Sequence, residues 1–378
     1  MISFALSEEQ WALRDLARAF AVNEIRPVAW RHDDEGSFPE ELVAKAWGLG
    51  LMNACIPERY GGPGLGALDG ALIDEELAWG CSGIQTTLGA NGLAASALLL
   101  GGSEALKRRY LARLIEAPRL ASFCLSEPGA GSDVAALSTS ARRVKDRYVI
   151  NGTKSFVTNG GHADFYVVFA KTDPHGGSHG ISCFVVPREA GVIVDRHEDK
   201  MGQRASDTAA VSFPEVEIPA DHLLGAENDG FRLAMLVLDR LRPGVAAMAV
   251  GVARAAFEFA RDYARERVQF GVPIASHQAI GFLIADMATE IEAARLLCWR
   301  AATALDAGEP ATLLSAHAKR FAADTAMKVT TDAVQVYGGY GYMRDYPVEK
   351  LMRDAKVMQL YEGTSQIQRL VIAREILL

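Results

Sequence analysis

Apolar residues recur at helical spacing near the start of the chain. Trp11, Leu13, Leu16, Ala17 and Phe20 fall on one stripe, and Leu77, Leu93, Ala97 and Leu98-Leu99-Leu100 carry the pattern to about residue 120. Ser7-Glu8-Glu9-Gln10 has the spacing of a capping box, in which hydroxyl and amide side chains satisfy orphan backbone N–H groups, and it predicts a helix start. Gly61-Gly62-Pro63-Gly64-Leu65-Gly66 breaks the zone with a loop. Between Ala121 and Gly225 the period changes. Arg147-Tyr148-Val149-Ile150 runs into Asn151-Gly152, a hairpin signal, and Lys154-Ser155-Phe156-Val157-Thr158 follows as the return strand. The segments 165–169, 181–186 and 210–213 are further short β-rich runs. No helical pattern separates them, which predicts an antiparallel sheet or barrel and not a βαβ layer. From about Gly230 the helical period returns, over Val245 to Arg267, Ala279 to Ala307 and Thr312 to Val336. Gly271 and Pro273 stop the first of these, and the succession predicts a bundle. The fold class is α+β: an N-terminal helical domain (1–120), a central antiparallel, barrel-like β-domain (121–228) and a C-terminal helical bundle (229–378).

Composition narrows the function classes. Lys and Arg number 39 against 47 Asp and Glu, a net charge of −8, and no basic stripe appears, so nucleic acid is not an expected partner. The five cysteines are odd in number and lack CxxC spacing, which points to a reducing compartment without a disulfide framework. No apolar run reaches the ~20 residues that span a bilayer, and the segment 1–6 has no basic leader. A soluble, untargeted, cytoplasmic protein is expected. GxGxxG, P-loop and GxSxG motifs are missing. His175-Gly176-Gly177-Ser178-His179 has zinc-like spacing, but its glycines mark a loop between strands, and no metal site is expected.

Three segments carry candidate chemistry. Leu125-Ser126-Glu127-Pro128-Gly129-Ala130-Gly131-Ser132-Asp133 lets backbone approach a flat or phosphorylated ligand, or is simply a turn. Tyr337-Gly338-Gly339-Tyr340-Gly341-Tyr342 could line a planar ring system, or cap a helix. Tyr361-Glu362-Gly363-Thr364-Ser365-Gln366-Ile367-Gln368-Arg369 sets a carboxylate just before a closing helix, where an ordinary glutamate would sit in water.

In this order, and together with the segments 201–208 and 346–356, these stretches resemble the acyl-CoA dehydrogenase family from Leu6 to the C-terminus, and most resemble its medium-chain straight-chain group. The resemblance implies helical, β and four-helix-bundle domains, bound FAD, and a homotetramer built as a dimer of dimers. It implies α,β-dehydrogenation of a fatty acyl-CoA in β-oxidation, with electrons passed to an electron-transfer flavoprotein. A branched, dicarboxylic or carrier-protein-bound acyl thioester is the alternative substrate. Glu362 matches the family's base. Desolvation would raise its pKa and the helix N-terminus would lower it, and sequence leaves the winner open. Its backbone N–H is implied to polarise the thioester carbonyl. Some relatives place the base at the position of Leu241, which cannot accept a proton.

The resemblance assigns FAD contacts to Phe123, Leu125, Ser126, Gly131 and Ser132, and to Phe156, Val157 and Thr158 beside the flavin ring. Arg267, Gln269, Phe270, Gln278, Gln335 and Gly339 are implied to reach the pyrophosphate and adenosine, in part from a neighbouring subunit, and Thr364 and Gln366 complete the set. Ser132 and Asp239 are implied at the CoA arm. Tyr361 and Gly363 flank the acyl thioester, and Arg242 is either a substrate-side arginine or one half of a helix-surface ion pair. Gln85 and Gly89 are implied to set chain length. A glycine where the medium-chain group carries a bulkier acidic residue implies a deeper pocket, unless neighbours refill the space.

Overall fold

Helix α1 (Glu8–Phe20) starts where the capping box places it: Ser7 Oγ accepts from the Gln10 N–H at 3.2 Å, and Gln10 Oε1 accepts from the Ser7 N–H at 3.1 Å. The computed structural model describes residues 4–378, so Met1-Ile2-Ser3 of the apolar leading stretch lie outside the described residues. Helices α2 (Ala29–Glu35), α3 (Glu40–Gly48), α4 (Ala67–Gly89), α5 (Asn91–Gly101) and α6 (Glu104–Glu116) complete the first zone. Apolar on nearly every face, α4 is buried along most of its length and kinks at Cys81, where φ is −167° and ψ is 118°. None of the described helices is long and apolar enough to cross a membrane.

The middle zone holds β1 (Leu120–Cys124), β2 (Ser140–Val144), β3 (Arg147–Thr158), β4 (Ala163–Lys171), β5 (Ile181–Pro187), β6 (Ile193–His197), β7 (Thr208–Pro219) and β8 (Leu223–Leu224). They form one eight-stranded sheet in the order β6-β7-β3-β2-β4-β5-β8, with β1 beside β4. Most pairings are antiparallel, as expected, but β1 runs parallel to β4, and β2 touches β4 through a single parallel pair, Ser140 with Lys171. The sheet has two buried faces. Phe165, Val167 and Phe169 of β4 pack under the helices against Tyr110 and Leu98, while Tyr166, Val168 and Ala170 point inward to Tyr148, Phe184 and Phe213.

The Asn151-Gly152 hairpin does not form. β3 runs through that dipeptide to Thr158, and the two-residue turn lies earlier, at Lys145-Asp146, where Lys145 has φ 56°. Gly152 instead serves a bulge opposite β7 at φ 153°, where an added Cβ would lie 2.4 Å from Thr139 Oγ1. The dipeptide's turn propensity yields to the strand register.

The last zone contains α7 (Gly230–Glu266), α8 (Gln278–Asp306), α9 (Thr312–Tyr337), α10 (Val348–Met358) and α11 (Ser365–Leu377), with a small hairpin of β9 (Val268–Gln269) and β10 (Val272–Pro273) after α7. α7 begins at Gly230 and not at Val245. Pro243 sits inside it, buried, where it removes one ladder N–H without ending the helix. Tertiary packing outweighs the break: Ala246, Ala249, Ala253, Ala256 and Ala260 are all buried along one side of α7 and bring α8 and α9 close.

One buried carboxylate joins three parts of the chain. Asp354 on α10 accepts from the Gln203 N–H at 2.5 Å, Lys350 Nζ at 2.6 Å and Ser82 Oγ of α4 at 3.1 Å. The next residue back, Arg353, reaches Asp33 of α2 at 2.7 Å and the Met201 carbonyl at 3.0 Å. The segments 201–208 and 346–356 thus meet each other. Asp354→Ala strands the buried Lys350 charge, and a loss of about 3–5 kcal/mol is expected. Calorimetric melting checks this, and an unchanged melting temperature would contradict it.

Candidate active site

The loop between α10 and α11 turns through two consecutive left-handed residues, Glu362 at φ 51° and Gly363 at φ 92°. For a glutamate that backbone costs about 1 kcal/mol, so the surroundings must hold it. They do so from several sides. Thr364 caps α11 by accepting from the Ile367 N–H at 3.1 Å, and the Gly363 carbonyl accepts from Lys319 Nζ at 2.7 Å and Gln368 Nε2 at 3.0 Å. A Cβ at Gly363 would lie 2.7 Å from Gln368 Nε2, so the tight turn needs glycine there.

Glu362 keeps part of its surface, but its Oε2 is out of solvent contact and has no hydrogen-bond partner. Burial pushes its carboxyl up to about 7, against the pull of Lys319 and Arg242. Desolvation is the largest influence on the group, and two buried cations oppose it. Lys319, on α9, is fully buried. Burial lowers it to about 8, Glu362 pulls it back up and Arg242 pushes it down.

Arg242 is no helix-surface residue. It is 3% exposed, paired with Asp239 Oδ1, and its Nε has no partner. Asp239 spends its other oxygen on Thr312 Oγ1 at 2.7 Å. Both carboxylate oxygens thus have a partner inside the protein, and Asp239 orients Arg242 while keeping part of its surface exposed. Leu241 packs on the apolar cluster under the sheet. Tyr361 Oη accepts from Gln203 Nε2 at 3.4 Å, and burial raises the phenol well above its ordinary value, keeping it neutral.

Gln85 is buried, and its Nε2 donates to Asp74 Oδ1 at 2.6 Å. A Cβ at Gly89 would lie 2.8 Å from that same nitrogen. The deeper pocket expected at Gly89 is therefore not open, because the Gln85 amide fills the space. Asp74 and Lys319 escaped the reading of the sequence. For Asp74 a signal exists in a carboxylate directly after the apolar run Ala71-Leu72-Ile73 of a helix that is apolar nearly all round. Nothing in the local pattern marks Lys319.

The residues assigned to the flavin ring come together. The Ser155 N–H donates to the Ser126 carbonyl at 2.9 Å, Lys154 Nζ to the Leu125 carbonyl at 3.2 Å and Ser122 Oγ to the Thr158 carbonyl at 2.7 Å, which sets the end of β1, with Phe123, against the end of β3. Phe156 stands out at φ 57° and 69% exposed, an apolar ring presented to open space. Val157 faces the sheet core, so only its backbone can serve a ligand. In the glycine-rich loop a Cβ at Gly129 or Gly131 would meet nothing within 4 Å, and Ser132 is exposed beside them. Glu127 flanks the Pro128-Gly129 turn, but its carboxylate is buried. It accepts from Lys154 Nζ at 2.7 Å, the Ser138 N–H at 2.6 Å and the Thr139 N–H at 3.0 Å; burial pushes it up, but Lys154 and these bonds hold it down at about 2.

The remaining assigned residues lie elsewhere. Arg267, Gln269, Phe270 and Gly339 line a cleft of about 550 Å³, with Gln278 and Gln335 exposed outside its lining. Phe270, at φ 55°, is 95% exposed. Thr364 is engaged as a helix cap and Gln366 is exposed on α11. Among the described residues no hydrogen bond, ion pair or ring contact joins the Phe156 cluster to this cleft. Each fits part of an extended planar cofactor: glycines that leave backbone bare, and outward aromatic rings.

Lys319→Met removes one of the two cations facing Glu362, and the carboxyl should then titrate about a unit or more above its present midpoint near 7. Infrared difference spectra against Glu362→Gln would follow the carboxyl band, and an unmoved midpoint would contradict the assigned coupling.

Comparison with known proteins bears on the whole chain. The family models "Acyl-CoA dehydrogenase, N-terminal domain", "middle domain" and "C-terminal domain" match residues 7–117, 122–216 and 228–377. An acyl-CoA dehydrogenase of Bacillus subtilis is 44% identical over 374 residues, covering 98% of this chain and 99% of that protein. A cyclohexane-1-carbonyl-CoA dehydrogenase of Geobacter metallireducens is 46% identical over 377 residues, covering 99% of each. The solved butyryl-CoA dehydrogenase of Megasphaera elsdenii superposes with a TM-score of 0.97 at 42% identity, covering 100% of both chains. The chain belongs to the acyl-CoA dehydrogenase family of FAD-dependent oxidoreductases.

Proposed function

We propose that the protein converts a fatty acyl-CoA of medium chain length to the trans-2-enoyl-CoA, with Glu362 taking the α-proton. The observation that carries this is the state of the Glu362 carboxyl: desolvated, without a hydrogen-bond partner on Oε2, and raised to about 7. A base works best when its pKa lies near the working pH, because it is then both unprotonated and strong. Lys319 and Arg242 keep burial from lifting it further. The Glu362 N–H makes no hydrogen bond among the described residues, so it is free to donate to the thioester carbonyl and acidify the α-carbon.

FAD, when bound, accepts the β-hydride. In this proposal Leu125, Ser126, Phe156 and Thr158 hold the ring end, and Arg267, Gln269, Phe270 and Gly339 of a neighbouring subunit hold the adenosine end. The exposed apolar groups around that cleft, Phe270, Val268, Val272, Tyr340 and Met343, support a subunit contact there and hence a tetramer of paired dimers. An electron-transfer flavoprotein would reoxidise the enzyme.

A second reading draws on the filled space at Gly89, which favours a compact, branched acyl group over a long one. The Geobacter relative is named for a ring-bearing acyl-CoA.

Glu362→Gln should stay yellow but lose anaerobic bleaching by octanoyl-CoA, by at least ~10³-fold in rate. Retained bleaching would remove Glu362 from the reaction.

A further inference from the structure

Asp74 is a buried-side carboxyl next to Glu362 that the proposed reaction does not use. Its neighbours on α4 are neutralised: Glu75 by Arg254 at 2.8 Å and Arg295 at 3.0 Å, and Glu76 by Arg254 at 2.5 Å. Asp74 has no ion pair among the described residues. Its hydrogen bond is the one from Gln85 Nε2 at 2.6 Å. Gln85 in turn is 2% exposed, and its Oε1 has no hydrogen-bond partner.

Two glycines make room for the carboxyl. A Cβ at Gly244 of α7 would lie 2.8 Å from Asp74 Oδ2, and one at Gly89 would lie 3.8 Å from Oδ1. Asp74 is only partly covered, so some of its surface remains accessible. Glu362 lies within electrostatic reach of it. Gly244 follows Arg242 on the same helix, Arg242 Nη2 lies 3.9 Å from where a Gly363 Cβ would be, and the charges of Asp74 and Glu362 act on each other.

A purely structural pair would satisfy its own hydrogen bonds. Here a carboxyl with one donor sits beside a carboxamide with an orphaned acceptor, and burying such groups unpaired is unfavourable. Both lack the same thing, a donor. Burial pushes Asp74 up to about 7, the Gln85 bond pulls it down and Glu362 pushes it up, so near neutral pH both the charged and the neutral carboxyl are populated.

We propose that Asp74 and Gln85 form the recognition end of the acyl pocket and select acyl thioesters whose acyl group carries a hydrogen-bond donor, a hydroxyl or an amine, over plain alkyl groups. This rests on Glu362 acting at the thioester end of the same pocket. A plain chain reaching the pair would leave two acceptors desolvated and unpaired, whereas a hydroxyl or ammonium gives them their missing partner. Sites built to bond a substrate O–H or N–H reject the analogue that lacks it more strongly than apolar pockets reject one methylene.

The test uses FAD-loaded wild-type enzyme with Asp74→Ala and Asp74→Asn variants. Bleaching rates are compared for butyryl-CoA and hexanoyl-CoA and for their chain-terminal hydroxy and amino derivatives. Calorimetric binding of the same thioesters to Glu362→Gln gives a readout without turnover. The wild type should favour a donor-bearing thioester over its plain partner by about tenfold or more in kcat/KM and in affinity. Asp74→Ala should bring that ratio toward one. Asp74→Asn separates the two donors, since it should keep a preference for hydroxyl and lose one for ammonium. If plain acyl-CoAs bleach the flavin and neither the wild type nor the variants distinguish the derivatives, the recognition role is overturned while the dehydrogenase stands. If no thioester bleaches the flavin, both fall.

Discussion

A carboxyl oxygen removed from water without a hydrogen-bond partner must be kept there by the chain around it, and one oxygen of Glu362 is in that position. Its Oε2 faces no donor, and desolvation makes the charged form expensive enough to bring the group to about 7. Lys319 and Arg242 limit that rise, and each is itself buried and oriented: Lys319 by the Gly363 carbonyl, Arg242 by Asp239, and Asp239 by Thr312. The left-handed backbone at Glu362 and Gly363 aims the side chain and the amide together, so one loop can supply both a proton acceptor and a donor for the carbonyl.

The three zones of the fold converge to hold that loop. Asp354 ties α10 to α4 and to the 201–208 segment, and Gln203 from that segment reaches both Thr86 and Tyr361. A second buried pair, Glu127 with Lys154, fixes the glycine-rich loop against β3. Asp354 and Arg353 join the bundle to the 201–208 segment, the Glu127–Lys154 pair braces the middle zone itself, and a buried ion pair is unstable when only one partner remains. This arrangement places bare backbone and outward aromatic rings where FAD is proposed to lie, and a carboxyl where a thioester is proposed to lie.

Much of this was legible in sequence where the signal is local. The capping box at Ser7, the long helical periods and the strand-rich middle zone follow from side-chain spacing, and the structure reproduces them. Local signals failed where packing competes with them. Asn151-Gly152 became a bulge because β7 extends its register past Gly152, and Pro243 lies within α7 because the alanine-lined contacts on its far side hold the helix together. Glu127 does flank the Pro128-Gly129 turn, but its buried partner Lys154 comes from β3 and could not be read locally. Lys319 was invisible for the same reason, since Glu362 and Arg242 reach it from other elements, whereas Asp74 carried a weak signal, a carboxylate in an otherwise apolar run. The absence of a side chain at Gly89 could be read, but not the Gln85 amide that fills the gap.

In the proposed reaction Glu362 is a desolvated base poised near neutrality. The most direct measurement is the pH dependence of kcat/KM for flavin reduction by octanoyl-CoA under anaerobic stopped-flow conditions, which reports the free enzyme. Because a base must be unprotonated to act, the rate should be low in acid and rise to a plateau with a midpoint of about 7. A midpoint at the ordinary glutamate value near ~4.3, or a flat profile, would contradict the account.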